Sequence, residues 1–296
     1  MLRRHLTDVR AASRTRVKAW IEDGRVTVNG RVASRASMRT AFNDIVTVRF
    51  TEAARRRPAA AEAGDALAML DVLYEDDHLL ALNKPAGVVV HPTYRNSAGT
   101  LMNALLWYAR AWPDGRRPSL VGRLDKLTSG ILIVAKNAPI HSALQRAMTS
   151  SRSEKDYLAL VHGRVNVARG AIDLRLAIDG NDRRRMVASA SDGVPSLTQF
   201  VRIARGDDVS LLRCRLVTGR RHQIRVHLAA RGWPIVGDPI YAASIANGKP
   251  RTFPRQALHA WRVAFRHPVT GERLAIQALV PDDMETLLNG AGLRLS

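Results

Sequence analysis

From residue 69 onward the sequence is a succession of short apolar runs, at 70–74, 79–82, 87–90, 131–135, 157–161, 211–217 and 257–265. Many are separated by turn residues instead of helical stretches. A doubly wound parallel sheet needs a crossover of about a dozen or more residues, usually a helix, between successive strands. Only two stretches read as helices, 101–112 behind the capping residue Thr100, and 139–148. The pattern therefore predicts an α+β fold with a mixed, largely antiparallel sheet. No internal repeat is visible.

A composition break sets the domain plan. Over 51–66 Glu, Ala, Arg and Pro replace periodic apolar residues, which reads as a linker and divides the chain into 1–50, a connection at 51–68, and 69–296. In the first unit Ser13 is placed to cap a helix whose Val17, Trp20 and Ile21 recur at i, i+3 and i+4 and which ends at Gly24. Val26 and Val28 then alternate into the turn pair Asn29-Gly30, with Val32 on the return strand, so a hairpin follows. Arg14, Arg16, Lys18, Arg25 and Arg31 crowd this small unit.

The 46 Lys and Arg against 26 Asp and Glu leave a formal charge of +20. Such a field attracts phosphates and releases their counterions, so a nucleic acid is the expected partner, a merely solubilising charge being the alternative. The single cysteine, Cys214, lies in an apolar run and allows no intramolecular disulfide; it reads as a half-buried structural thiol in a reducing compartment. No apolar stretch reaches the ~18 residues of a membrane span, and Met1-Leu2-Arg3-Arg4-His5 does not begin a signal peptide. A soluble, cytoplasmic protein is expected, with monomer as the default state and no protein partner implied.

Several chemistries lack their residues. The Gly248-Lys249 pair is followed by Pro250, and Ala243 stands where a phosphate loop needs its first glycine. His222 and His227, five apart, align on neither a strand face nor a helix face, so no metal site is expected. Cys214 between Arg213 and Arg215 looks structural, not nucleophilic. What remains is Gly122-Arg123-Leu124-Asp125-Lys126-Leu127-Thr128-Ser129-Gly130, a turn before an apolar strand with one carboxylate between two cations. Cationic neighbours favour the ionised form, and an ionised, oriented Asp can serve as nucleophile or base without a metal. Alone, Asp125 could equally cap its turn.

The 122–130 segment resembles the signature of the RluA branch of RNA pseudouridine synthases. Asn83-Lys84-Pro85-Ala86-Gly87 is similar to that family's early loop, and Lys155-Asp156-Tyr157-Leu158-Ala159-Leu160-Val161-His162-Gly163 to its tyrosine-bearing strand. The arginine-bearing segment is matched by 218–228, which contains Arg225 and is continued by Gly232 to Asp238, and Leu258-His259-Ala260 is a shorter match. Residues 16–30 resemble the small RNA-binding module named for ribosomal protein S-four. Two positions depart from the pattern: Gly122 stands where the RluA branch usually has histidine, which bears on substrate placement, and Gly193-Val194-Pro195 where relatives often carry lysine.

The resemblance implies isomerisation of uridine to pseudouridine in RNA without a cofactor. Asp125 would act on the ribose, Arg225 would pair with it, and Tyr157 would stack on the target base. Arg123 would fill the gap that base leaves or simply neutralise Asp125. Arg14, Arg16, Lys18 and Arg25 would contact RNA, with large-subunit ribosomal RNA expected and transfer RNA the alternative. Two rivals stand beside this: a non-catalytic RNA-binding or ribosome-assembly protein, which gives no reason for Asp125, Tyr157 and Arg225 to occur together, and a metal-dependent RNA hydrolase, for which no ligand cluster is visible.

Overall fold

A computed structural model of the chain describes residues 14–35, 37–38, 40–41, 44–49, 70–92, 98–242 and 251–294; side chains of 14–16 lie outside that description. Outside it too lie Met1 to His5, Ser13, the 51–68 connection and Gly248-Lys249, together with the side chains of Arg14 and Arg16. The chain divides into two compact units, 1–57 and 58–296.

The first unit contains helix α1 (Arg14–Glu22) and strands β1 (Val26–Val28), β2 (Arg31–Val32) and β3 (Val46–Val48). Trp20 and Ile21 on α1 are buried against Val26, Val28 and Ala33, with Val17 packed beside them, so the i, i+3, i+4 stripe makes the core. Asn29 and Gly30 both take positive φ, 51° and 79°, as the tight turn between β1 and β2 requires.

The second unit centres on a ten-stranded sheet. Its path runs β4 (Val72–Glu75), β5 (Leu79–Lys84), β7 (Ser129–Ala135), β14 (Leu258–Arg266), β8 (Glu154–His162), β13 (Val209–Leu216), β12 (Leu197–Arg205) and β9 (Arg169–Asp173). Strand β6 (Ser119–Val121) pairs with β7, β15 (Arg273–Gln277) with β14, and β10 (Arg175–Ile178) with β11 (Met186–Ser189) as a separate hairpin. All pairings are antiparallel except β7 with β14, so the sheet is mixed and largely antiparallel.

Strands β5 and β7 are buried on both faces, which is why they read as continuous apolar runs without alternation. Leu80, Leu82, Leu132 and Val134 pack under helix α2 (Leu101–Tyr108), while Leu79, Ala81, Ile131 and Ile133 pack against Leu144 of helix α3 (Ala138–Thr149). Thr100 caps α2 in a reciprocal box with Asn103, and Asn137 caps α3 through the Ile140 N–H at 2.9 Å. The join of β7 to β14 brings two backbones together at Gly130. A Cβ there would run into the carbonyl of Ala260, so only glycine allows this approach.

Three expectations need correction. Residues 87–90 form no strand: the Gly87 N–H bonds the Lys126 carbonyl at 2.8 Å, and the Val89 and Val90 carbonyls accept from Leu101 and Met102 at the start of α2. Their polar groups serve a loop and a helix end, so no ladder can form. The helix expected to reach 112 ends at Tyr108 and tightens into a 3-10 turn, Ala109–Ala111. Cys214 is wholly buried, not half-buried, and burial, then the charge of Asp156, pushes its thiol up to about 12. The structure also adds helices α4 (Gln223–Ala230) and α5 (Asp282–Gly290). Six consecutive residues of α4, from Gln223 to Leu228, are buried, so it carries no one-sided apolar stripe.

Candidate active site

Asp125 lies in the loop between β6 and β7, on a cleft of about 890 Å³ that is also lined by Arg123, Tyr157, His222 and Arg225. Two hydrogen bonds hold the end of the loop that leads into β7. Thr128 accepts from Gln256 Nε2 at 2.7 Å, and Ser129 Oγ pairs with His259 Nδ1 at 2.9 Å. Near the start of the loop Gly122 has φ of +91°, a conformation that side chains rarely adopt, although a Cβ there would meet nothing within 4 Å. The loop thus accepts glycine at 122 for backbone reasons.

The cation that holds Asp125 is not a sequence neighbour. Arg123 and Lys126 are exposed and form no ion pair with it; instead Arg225 Nη1 donates to Asp125 Oδ2 at 2.8 Å from α4, 100 positions along the chain. Their side chains are only 4% and 19% exposed, so the pair is little screened by water. Among the described residues no donor reaches the other oxygen, Oδ1. Nor does Arg123 make a hydrogen bond or ion pair among those residues, while its charge lowers the pKa of His91, secondary to burial.

Arg225 is itself anchored. Its Nε and Nη2 fork onto Asp238 Oδ2 and Oδ1 at 2.7 and 2.9 Å, and its guanidinium lies 5.0 Å from the centre of the Tyr241 ring. Tyr241 Oη accepts the Met186 N–H at 2.9 Å, so its own proton goes to His222 Nδ1, also at 2.9 Å. This assigns His222 the tautomer with hydrogen on Nε2, which lies 3.8 Å from Asp125 Oδ2. Burial, aided by Arg225 and Arg221 and opposed by Asp125, brings the His222 pKa down to about 4, so the ring is neutral at pH 7. His222 is the N-terminal residue before α4 and takes a left-handed backbone, φ 54°, uncommon for a side-chain-bearing residue.

Tyr157 reaches the cleft from β8. Its neighbour Asp156 is held by Arg215 at 2.6 and 2.7 Å, which fixes the strand beside the tyrosine. Burial first, and the charge of Asp125 second, raise the Tyr157 pKa, so the phenol stays protonated. Lys84 closes the site from behind. It is wholly buried, and its Nζ donates to the carbonyls of Pro85, Val88 and Lys126 at 2.7, 3.1 and 3.1 Å.

The structure therefore brings Asp125, Tyr157 and Arg225 together and leaves Arg123 on the rim. Sequence reasoning assigned no site role to Asp238, Tyr241 or Lys84 and weighed His222 only as half of a rejected metal pair; the one usable signal was a charge, Lys84 or Asp238, embedded in an apolar stretch. In the first unit Lys18 pairs with Glu22 at 3.6 Å and Arg25 with Asp23 at 3.3 Å, so part of the basic cluster is neutralised in place. His227 bonds Thr198 and the Leu174 carbonyl, away from His222's partners. Among the described residues no three His, Cys, Asp or Glu side chains converge as metal ligands, and no helix is long and apolar enough to cross a membrane.

Comparison with known proteins places this geometry in context. Residues 78–230 match the family model described as RNA pseudouridylate synthase, and residues 9–46 match the S4 domain. The chain is 40% identical over 282 residues to the uncharacterized RNA pseudouridine synthase YlyB of Bacillus subtilis, covering 93% of this chain and 88% of that protein. It is 37% identical over 284 residues to ribosomal large subunit pseudouridine synthase D of Vibrio vulnificus, covering 93% and 85%. Among solved structures, human RNA pseudouridylate synthase domain containing 1 aligns with a TM-score of 0.58 at 26% identity, over 76% of this chain and 95% of that one. Human RNA pseudouridylate synthase domain containing 4 shares the fold with a TM-score of 0.63 at 21% identity, over 77% and 96%.

Proposed function

The chain belongs to the RNA pseudouridylate synthase family, in its RluA-like branch, and on that premise we propose that it isomerises uridines of large-subunit ribosomal RNA, with Asp125 acting on the ribose. The observation that carries the assignment of chemistry is the 2.8 Å ion pair of Asp125 with Arg225 at the cleft. The ribosomal substrate is supported by relatives from Vibrio vulnificus and Nitrosomonas europaea that are named for the large subunit.

Isomerisation breaks the bond from C1′ of ribose to N1 of uracil, turns the ring, and joins C1′ to C5. N1 gains a proton and C5 loses one, so the atoms balance without a co-reactant. As nucleophile or as base, Asp125 needs an ionised carboxylate with one oxygen unencumbered. Arg225 holds Oδ2 and Oδ1 has no partner among the described residues, which suits either role. The target base must first leave its stack, at a cost of a few kcal/mol. The Tyr157 ring receives it, a contact worth about 1–3 kcal/mol. Arg123, exposed on the rim and unpaired among the described residues, is the side chain free to enter the gap.

The 1–50 module, through Arg14, Arg16, Lys18 and Arg25, adds phosphate contacts, and the +20 charge strengthens them throughout. Asp125, Tyr157 and Arg225 all come from one chain, so a monomer suffices, and a single buried cysteine suits the reducing cytoplasm. Pseudouridine mapping of total RNA from a strain carrying Asp125→Asn tests the reading. Loss of particular large-subunit pseudouridines with transfer RNA unchanged is expected. Full modification at every site would overturn it.

A further inference from the structure

Asp238 does not line the cleft, yet its side chain is entirely buried and carries four hydrogen bonds. Oδ2 accepts from Arg225 Nε at 2.7 Å; Oδ1 accepts from Arg225 Nη2 at 2.9 Å and from the backbone N–H groups of Ile240 and Tyr241 at 2.9 and 3.0 Å. A planar guanidinium gripped at Nε and Nη2 has one orientation, and in that orientation its remaining nitrogen, Nη1, meets Asp125. Tyr241, from the same segment, covers the guanidinium.

The charges matter as much as the geometry. One cation stands between two carboxylates, so the positive charge that holds Asp125 is already balanced by Asp238. The other groups facing this pair do not supply the missing charge: His222 is neutral, Tyr157 keeps its proton, Lys84 Nζ is turned onto three carbonyls, and Arg221 is turned onto the carbonyls of Arg183 and Arg184. We infer that Asp238 is a positioning residue that aims Arg225 at Asp125 and, by sharing the guanidinium charge, lets Arg225 orient the catalytic carboxylate without quenching its reactivity.

This inference rests on Asp125 as the group that acts on the ribose. The test uses the full chain with Asp238→Asn, and ribosomal RNA from a strain lacking the gene as substrate, assayed for pseudouridine at neutral pH over a range of RNA concentrations. The variant removes the charge and keeps the size. With Asp238 neutral, Arg225 bears wholly on Asp125. The expected result is a kcat lower by about 10²-fold with KM for RNA unchanged.

A native kcat overturns the inference, as does a defect confined to KM. Should Asp238→Asn melt below the assay temperature, Asp238→Glu takes its place, keeping the charge while displacing the fork. Reduced kcat at an unchanged KM then supports the inference, and a native kcat refutes it. Asp125→Asn is run in parallel: if that variant stays active, the proposed chemistry fails, whereas an inactive Asp125→Asn beside a native Asp238→Asn refutes the role of Asp238 alone.

Discussion

Replacing Lys84 by methionine probes a charge that the fold keeps out of water at the back of the Asp125 loop. Lys84 is fully buried, and its ammonium has three donors for three carbonyls, of Pro85, Val88 and Lys126. Burial, with a smaller push from Arg255 and opposition from Asp125, takes its pKa from 10.5 down to about 7. Between those two values the unfolded chain binds a proton that the native state does not, so native stability rises with pH. The contribution is fully present above 10.5 and is lost as pH falls toward 7. Integrating over two pH units above pH 7 gives about 2 kcal/mol.

Methionine has similar length, no charge and no titration. Urea denaturation of wild type and Lys84→Met at pH 7, 8 and 9 isolates the residue, because other titrating groups cancel in the difference. The destabilisation caused by the substitution should grow by about 2 kcal/mol across that range. A pH-independent difference would refute the reasoning, since it would mean that the three carbonyls hold the ammonium charged throughout. The Lys126 carbonyl lies one residue from Asp125, so turnover should fall in the variant at every pH.

Arg225→Met leaves Asp238 buried without its cation and should cost about 3–5 kcal/mol in chemical denaturation, with activity lost. Tyr157→Phe keeps the stacking ring, whereas Tyr157→Leu removes it; if the contact is base stacking, only the leucine variant should lose RNA affinity, by about 1–3 kcal/mol in a filter-binding titration. Gly130→Ala drives a Cβ against the Ala260 carbonyl and should lower the melting temperature even though alanine is otherwise the smallest change available. An unaltered melt would show that β7 and β14 can separate there.

How much of this was legible in the sequence depends on the range of each interaction. The helix and hairpin of the first unit followed from local spacing, because Trp20, Ile21, Val26 and Val28 are near neighbours whose periodicity alone buries them. The antiparallel character of the large sheet followed from short apolar runs without crossover helices between them. Residues 87–90 had the composition of a strand, but their backbone groups are taken by Lys126 and α2, partners that no local window contains. Helix α4 was hidden for a related reason: packed on nearly all sides, it has no polar face to give it a period.

At the site, the sequence by itself determined that Asp125 is the carboxylate of interest, through its loop and the accompanying blocks, and that Tyr157 and Arg225 belong with it. It suggested the wrong electrostatics for that carboxylate, since Arg123 and Lys126 stand beside it in the chain and neither pairs with it. The resemblance implied that Arg225 pairs with Asp125, but only the tertiary structure decided the geometry of that pair, that Asp238 fixes the arginine, and that His222 is neutral with its N–H toward the same oxygen. Coulomb energy depends on distance in space and on local exclusion of water, and adjacency along a chain measures neither.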